Sequence, residues 1–136
     1  MSALLLSFLA LAAAPQAPTT PPAAAPSPAF GVWQNPRHSI AVRIERCGAE
    51  ICGVIVGANP EAKQDARDAG VPQLIGVQLL SGYRQVSQDR WEGTVYVPDM
   101  GRRFSSHIVQ VAPNTLRISG CLIGGWICKS QDWTRL

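Results

Sequence analysis

Cys121-Leu122-Ile123-Gly124-Gly125-Trp126-Ile127-Cys128 is the stretch that decides the fold of this 136-residue chain. Gly124-Gly125 suits a two-residue turn with positive φ at both positions, the turn whose twist matches the strands it joins. Centring a hairpin there pairs Ile123 with Trp126, Leu122 with Ile127 and Cys121 with Cys128. The same count carried outward sets Arg117 opposite Asp132 and Leu116 opposite Trp133. An opposite-charge pair and an apolar pair thus emerge unforced, which supports the register.

Cys47 and Cys52 repeat the theme. A two-residue turn at Ala49-Glu50 pairs Gly48 with Ile51 and Cys47 with Cys52, with Ile44 opposite Ile55 on an apolar face. That count puts Cys47 and Cys52 on a narrow, non-hydrogen-bonded pair and Cys121 and Cys128 on a wider, hydrogen-bonded one. Four cysteines allow three connectivities, so the pairing stays open. Disulfides imply an oxidising compartment, and loops this short contribute about 2 kcal/mol each when closed.

Alternating apolar and polar residues recur between turn signals, and no segment sustains a helical period for long. Val97-Pro-Asp-Met-Gly-Arg102 makes a tight turn that aligns Trp91 with Ile108 and Val95 with Phe104, and on the other face Glu92 with His107. Pro113-Asn114 then lets Ile108 meet Ile118, while Leu74 to Val86 reads as a long apolar strand. Pro60 to Ala69 is the one helix candidate, a short lid between the second and third strands. The fold class is all-β: about eight strands in an antiparallel up-and-down meander. Closure into a barrel removes both exposed edges and leaves room for side chains or one small ligand. The inward parity is Ile44, Ile55, Trp91, Val95, Phe104, Ile108, Leu116, Ile118, Leu122, Ile127 and Trp133, and it also carries Lys129, Gln131 and Arg135.

The first 14 residues, Met1 to Ala14, are almost all apolar. Crossing a bilayer takes about 20 such residues, so the run reads as a secretory signal cleaved near Ala14 or Ala17, although no Lys or Arg precedes it. Residues 15–29 form a Pro/Ala-rich linker with too little apolar surface to order. Residues 30–136 form one barrel domain, not integral to a membrane once the signal is removed. The net charge of +3 is spread along the strands apart from Arg102-Arg103, so no face has the positive density that nucleic acid requires.

Gly31-Val32-Trp33 on the first strand and Trp133-Thr134-Arg135 on the last resemble the closing device of lipocalin-type barrels. That resemblance implies that Trp33 plugs one end and Arg135 lies across its ring in a cation–π contact. Cys47-Gly48, Cys52-Gly53, Leu74-Ile75-Gly76, Trp91-Glu92-Gly93, Tyr96-Val97-Pro98-Asp99, Ser119-Gly120-Cys121 and Gln131-Asp132-Trp133-Thr134-Arg135 together resemble the bacterial family called domain of unknown function 2147. The likeness runs from Phe30 to Arg135 and implies a small exported barrel of lipocalin-like shape. One departure is the loop where that family carries Asp…Asn-Pro…Arg; here it reads Asp65-Ala66-Arg67-Asp68-Ala69-Gly70.

No catalytic constellation emerges, and no activity, cofactor or metal is expected. His38 and His107 lack metal-type spacing, and Glu92 beside His107 reads as an ordinary cross-strand pair. The cysteine pairs are too widely spaced for structural zinc, and a thiol redox motif at a helix start is absent. Asp65, Asp68 and Asp99 lack the glutamate and glycine positions of a calcium loop, and Ser39, Ser81 and Ser106 lack a nucleophile elbow. Trp91, Phe104, Lys129, Gln131 and Trp133 make the candidate ligand site: apolar walls with polar groups that fix one end of a guest. The expected function is binding of a small hydrophobic or amphipathic ligand by a periplasmic or secreted protein. The alternative is a ligand-free structural or interaction module that meets an envelope protein through a rim loop or the 58–73 connection.

Overall fold

The computed structural model of the protein describes residues 10–18, 27–122 and 127–136. The apolar run through residue 9, residues 19–26 of the Pro/Ala tract and the Ile123–Trp126 turn lie outside these. Eight strands follow in chain order: β1 (Gly31–Gln34), β2 (Ile40–Cys47), β3 (Glu50–Ala58), β4 (Gln78–Ser87), β5 (Arg90–Val97), β6 (Arg102–Ala112), β7 (Thr115–Leu122) and β8 (Ile127–Arg135). Each pairs antiparallel with the next, and β1 pairs with β8 through Trp33 opposite Arg135, so the sheet closes into a barrel. The seam is short: β1 and β8 pair only at Trp33–Arg135 and Gln34–Thr134, so from Ile127 to Trp133 β8 is held by β7.

The β5–β6 and β7–β8 pairs have the register counted from the sequence. Trp91 faces Ile108 and Val95 faces Phe104 across β5 and β6, and Leu116 faces Trp133 and Arg117 faces Asp132 across β7 and β8. The hairpin of β2 and β3 differs from the expected count. Its turn is Gly48-Ala49, so Cys47 faces Glu50 and Cys52 faces Glu45, while Ile44 faces Gly53 and Val42 faces Ile55. The physical reason is Gly48, whose φ of 65° lies in the left-handed region that a tight turn demands and glycine supplies. Cys47 and Cys52 are therefore bonded diagonally, with Cα atoms 5.7 Å apart. Cys121 and Cys128 are bonded directly across the ladder at 4.0 Å, nearer the spacing of a narrow pair than of the wide one counted from the sequence.

Leu74–Val77 is not part of β4. Val77 N–H donates back to the Leu74 carbonyl, while the Ile55 amide and carbonyl bond to Val77 and Gly76, so a turn rather than a strand covers β3 here. Leu74 still reaches the core. The helix α1 (Pro60–Asp68) lies between β3 and β4, not between the second and third strands as expected, since Glu50–Ala58 is the third strand once Gly31–Gln34 is counted as the first. Asn59 caps it by accepting from the Ala62 N–H at 2.8 Å, and Pro60 occupies the first turn, where no donor is missed.

Inside the barrel, Trp33, Val42, Ile44, Ile55, Leu80, Tyr83, Trp91, Ile108 and Leu116 are almost fully buried. Each such side chain contributes about 1.5–3 kcal/mol relative to exposure. Ile127 departs from its expected inward burial: it is 52% exposed, at the end of β8 that pairs with β7 and lies beyond the short β1 seam.

Candidate functional site

The two ends of the barrel differ. At one end the chain approaches β1 through Pro28–Phe30, beside the turn at Pro113-Asn114. Trp33 donates its indole N–H to the Ala29 carbonyl at 2.9 Å and is 0% exposed. The Arg135 guanidinium stacks over the Trp33 ring, 4.2 Å from its centroid. It also donates to the carbonyls of Phe30 (2.7 Å) and Pro28 (2.9 Å) and to the Asn114 side chain (3.2 Å). Gly31 makes this approach possible: its φ is +129°, and a Cβ there would lie 2.7 Å from Arg135 Nη1.

The other end is open. The β1–β2 turn, α1 and the β5–β6 turn ring a cavity of about 590 Å³, within the range of small-molecule sites. Ile55, Leu79, Val95, Phe104, Ile118 and Trp133 give it apolar walls. Ala62 and Ala66 bring α1 onto the mouth, since short side chains let the helix lie close. On β8, Lys129 and Gln131 project into the same space, as their parity with Trp133 requires. Gln131 Oε1 accepts from the Trp133 indole at 3.2 Å, which leaves its amide N–H groups as donors. Lys129 has no ion pair or hydrogen bond among the described residues.

Of the five candidate ligand residues, the structure therefore gathers Phe104, Lys129, Gln131 and Trp133 on one cavity. Trp91 stands elsewhere. It is 1% exposed and packs in the filled half of the barrel, because its register opposite Ile108 sets it below the level of Val95 and Phe104. Arg135 shares the parity of Lys129 and Gln131 but is consumed at the closed end. The lining also includes Asn35, Arg37, Ser39, Tyr96, Asp99 and Met100, which the sequence reading missed as cavity residues. Of these, Asn35 carried a signal. In Asn35-Pro36 its side chain accepts from the Ser39 and Ile40 amides at 2.8 and 3.1 Å and shapes the rim turn.

The one nameable acid/base pair is not in the cavity. Glu92 and His107 face each other on the outer surface, since Trp91 and Ile108 take the inner face. Burial first, then the charge of Arg90, hold the His107 pKa below its ordinary value, while Glu92 opposes them. Among the described residues no group of three or more His, Cys, Asp or Glu could hold a metal ion. No helix of the described residues is long and apolar enough to cross a membrane.

Residues 31–135 match the family described as "Uncharacterized protein conserved in bacteria (DUF2147)", and the chain belongs to that family. No curated protein matches it. Among solved structures it is similar to protein HP1028 from Helicobacter pylori, described as belonging to the lipocalin family. The TM-score is 0.61 at 15% identity, over 79% of this chain and 82% of that one. A likeness at that identity speaks to the fold.

Proposed function

We propose that this member of the family is exported to an oxidising compartment of the cell envelope. There its open end binds one small amphipathic molecule, apolar along most of its length with a polar or anionic end. The single observation that carries this reading is the pairing of apolar walls with Lys129, which has no ion pair among the described residues, and with the amide of Gln131 in one 590 Å³ cavity, where Asp65 and Asp99 lie in the lining as well. An anionic group seated there gains charge-assisted hydrogen bonds, while its apolar part leaves water at about 25 cal/mol per Å² buried. The Trp33–Arg135 contact acts as the plug at the far end, so a guest enters from the α1 side. The two disulfides support the export part of the reading, because such bonds persist in oxidising compartments.

Native mass spectrometry and solvent extraction of protein purified from its own host test the proposal. It predicts one co-purifying amphiphile per chain, released by unfolding. A protein that carries nothing and also fails to take up anionic amphiphiles would refute it. A second reading has its own observation: Met100 and Ile127 are about half exposed at the open rim, where they suit an apolar contact with an envelope protein. Pull-down from envelope extracts with Ile127→Ser, a rim residue outside the cavity lining, separates the two, since ligand uptake survives this change and partner capture does not.

A further inference from the structure

Below the cavity, three buried polar atoms have no hydrogen-bond partner among the described residues: the Tyr83 phenol oxygen, Ser106 Oγ and Trp91 Nε1. Tyr83 is 0%, Trp91 1% and Ser106 6% exposed. Tyr83 stands on β4, Trp91 on β5 and Ser106 on β6, and the first and last of these come close together. Ser106 lies directly opposite Gly93. A Cβ on Gly93 would lie 2.6 Å from Tyr83 Cγ, so the phenol ring lies across that bare backbone and points toward β6. There the Ser106 hydroxyl is near enough for hydrogen bonding to temper the rise in the phenol's pKa, yet the two oxygens fall outside ordinary hydrogen-bond geometry. Trp91 is two residues from Gly93 on the same face. One rung above, Val95 and Phe104 already line the cavity.

Buried polar groups in folded proteins nearly always have a partner, and a cluster of exceptions marks a place that a guest satisfies. We propose that Tyr83 and Ser106, with Trp91 at their side, form a buried seat for one neutral oxygen beneath the cavity floor. The guest accepts from the indole, which can only donate, and exchanges hydrogen bonds with the two hydroxyls, which do both. It is neutral because no Lys, Arg, Asp or Glu side chain is buried among the described residues, and an unpaired charge there is far costlier than a neutral group. Burial also pushes the Tyr83 pKa up, so the phenol keeps its proton as a donor. Such an oxygen has two sources: an immobilised water, or the hydroxyl or carbonyl terminus of a molecule reaching down through the floor. The seat does not depend on the cavity's having a ligand.

High-resolution crystal structures of the full chain, once as purified from its host and once after denaturation and refolding, distinguish them. Compact density within hydrogen-bond distance of Tyr83 and Ser106 in both preparations identifies water. Density that continues upward into the cavity, only in the first preparation, identifies a ligand oxygen. Either result supports the seat, and the former leaves the cavity reading to its own test. No density in either preparation, or a direct Tyr83–Ser106 hydrogen bond with nothing between, overturns it. In solution, Tyr83→Phe and Ser106→Ala each lower the melting temperature by about 4 °C or more if the seat is filled. A rise in melting temperature for Tyr83→Phe also overturns the proposal, since it means that an unpaired hydroxyl was removed.

Discussion

Replacing Arg135 by Met removes the charge and the donors from the closed end while it keeps most of the side chain's length and apolar contact. The loss can be worked from the contacts. The guanidinium lies 4.2 Å from the Trp33 ring centroid, a half-exposed cation–π contact of about 1 kcal/mol. The short hydrogen bonds to the Phe30 and Pro28 carbonyls add about 1 kcal/mol each after allowance for partial exposure. The longer bonds to Pro113 and Asn114 add little. The sum is about 3 kcal/mol, which lowers the melting temperature of a domain this size by roughly 12 °C. Thermal unfolding followed by circular dichroism, with the disulfides intact, measures it. Arg135→Lys retains the charge but not the planar fork and falls between the two. A double-mutant cycle with Trp33→Leu isolates a coupling of about 1 kcal/mol. The reasoning fails if Arg135→Met changes stability by less than about 1 kcal/mol, or if the two substitutions are additive.

Three further outcomes follow from the same contacts. Gly93→Ala sets a methyl group 2.6 Å from the Tyr83 ring and 2.8 Å from the Ser81 carbonyl; overpacking of this kind costs about 1–3 kcal/mol, read as a lower denaturation midpoint, and an unchanged midpoint contradicts the packing described. The pKa of His107 is held below its ordinary value, so below about pH 6.5 the unfolded chain binds more protons than the folded one. Stability is therefore full above that pH and declines as pH falls through it; denaturation midpoints at pH 7.5 and 5.5 should show a drop that shrinks in His107→Gln, and an equal drop in both proteins refutes the assignment. Replacing either cysteine pair by serines removes a short cross-link worth about 2 kcal/mol, and doing both approximately doubles the loss in chemical denaturation, because the two staples hold separate hairpins.

Much of the barrel was legible because its hairpins are tight. A turn of fixed length leaves one register, and for β5–β6 and β7–β8 that register aligned every inward residue. The β2–β3 hairpin shows how the same logic goes wrong. Gly48-Ala49 and Ala49-Glu50 are both two-residue turns. Matching the cysteines favoured the second, but the backbone needs positive φ where glycine stands. Leu74–Val77 misled for another reason, since an apolar run reads the same whether it is a strand or a turn folded onto a core. For the site, parity alone brought Lys129 and Gln131 beside Trp133. It could not separate Trp91 from Phe104, because both point inward and only depth along the barrel divides the filled half from the open one. The rim residues Arg37, Tyr96 and Asp99 come together through closure of the sheet, which joins loops far apart in the chain.

The central claim is that the open end takes an anionic amphiphile. Titration of the protein with 1-anilinonaphthalene-8-sulfonate, followed by fluorescence, tests it with Lys129→Glu and with Ile118→Trp, which fills the cavity. The account predicts saturable binding of one probe per chain, weakened at least tenfold by Lys129→Glu and abolished by Ile118→Trp, while the melting temperature of Lys129→Glu is unchanged. Binding that is non-saturable, or that both variants retain in full, would contradict it.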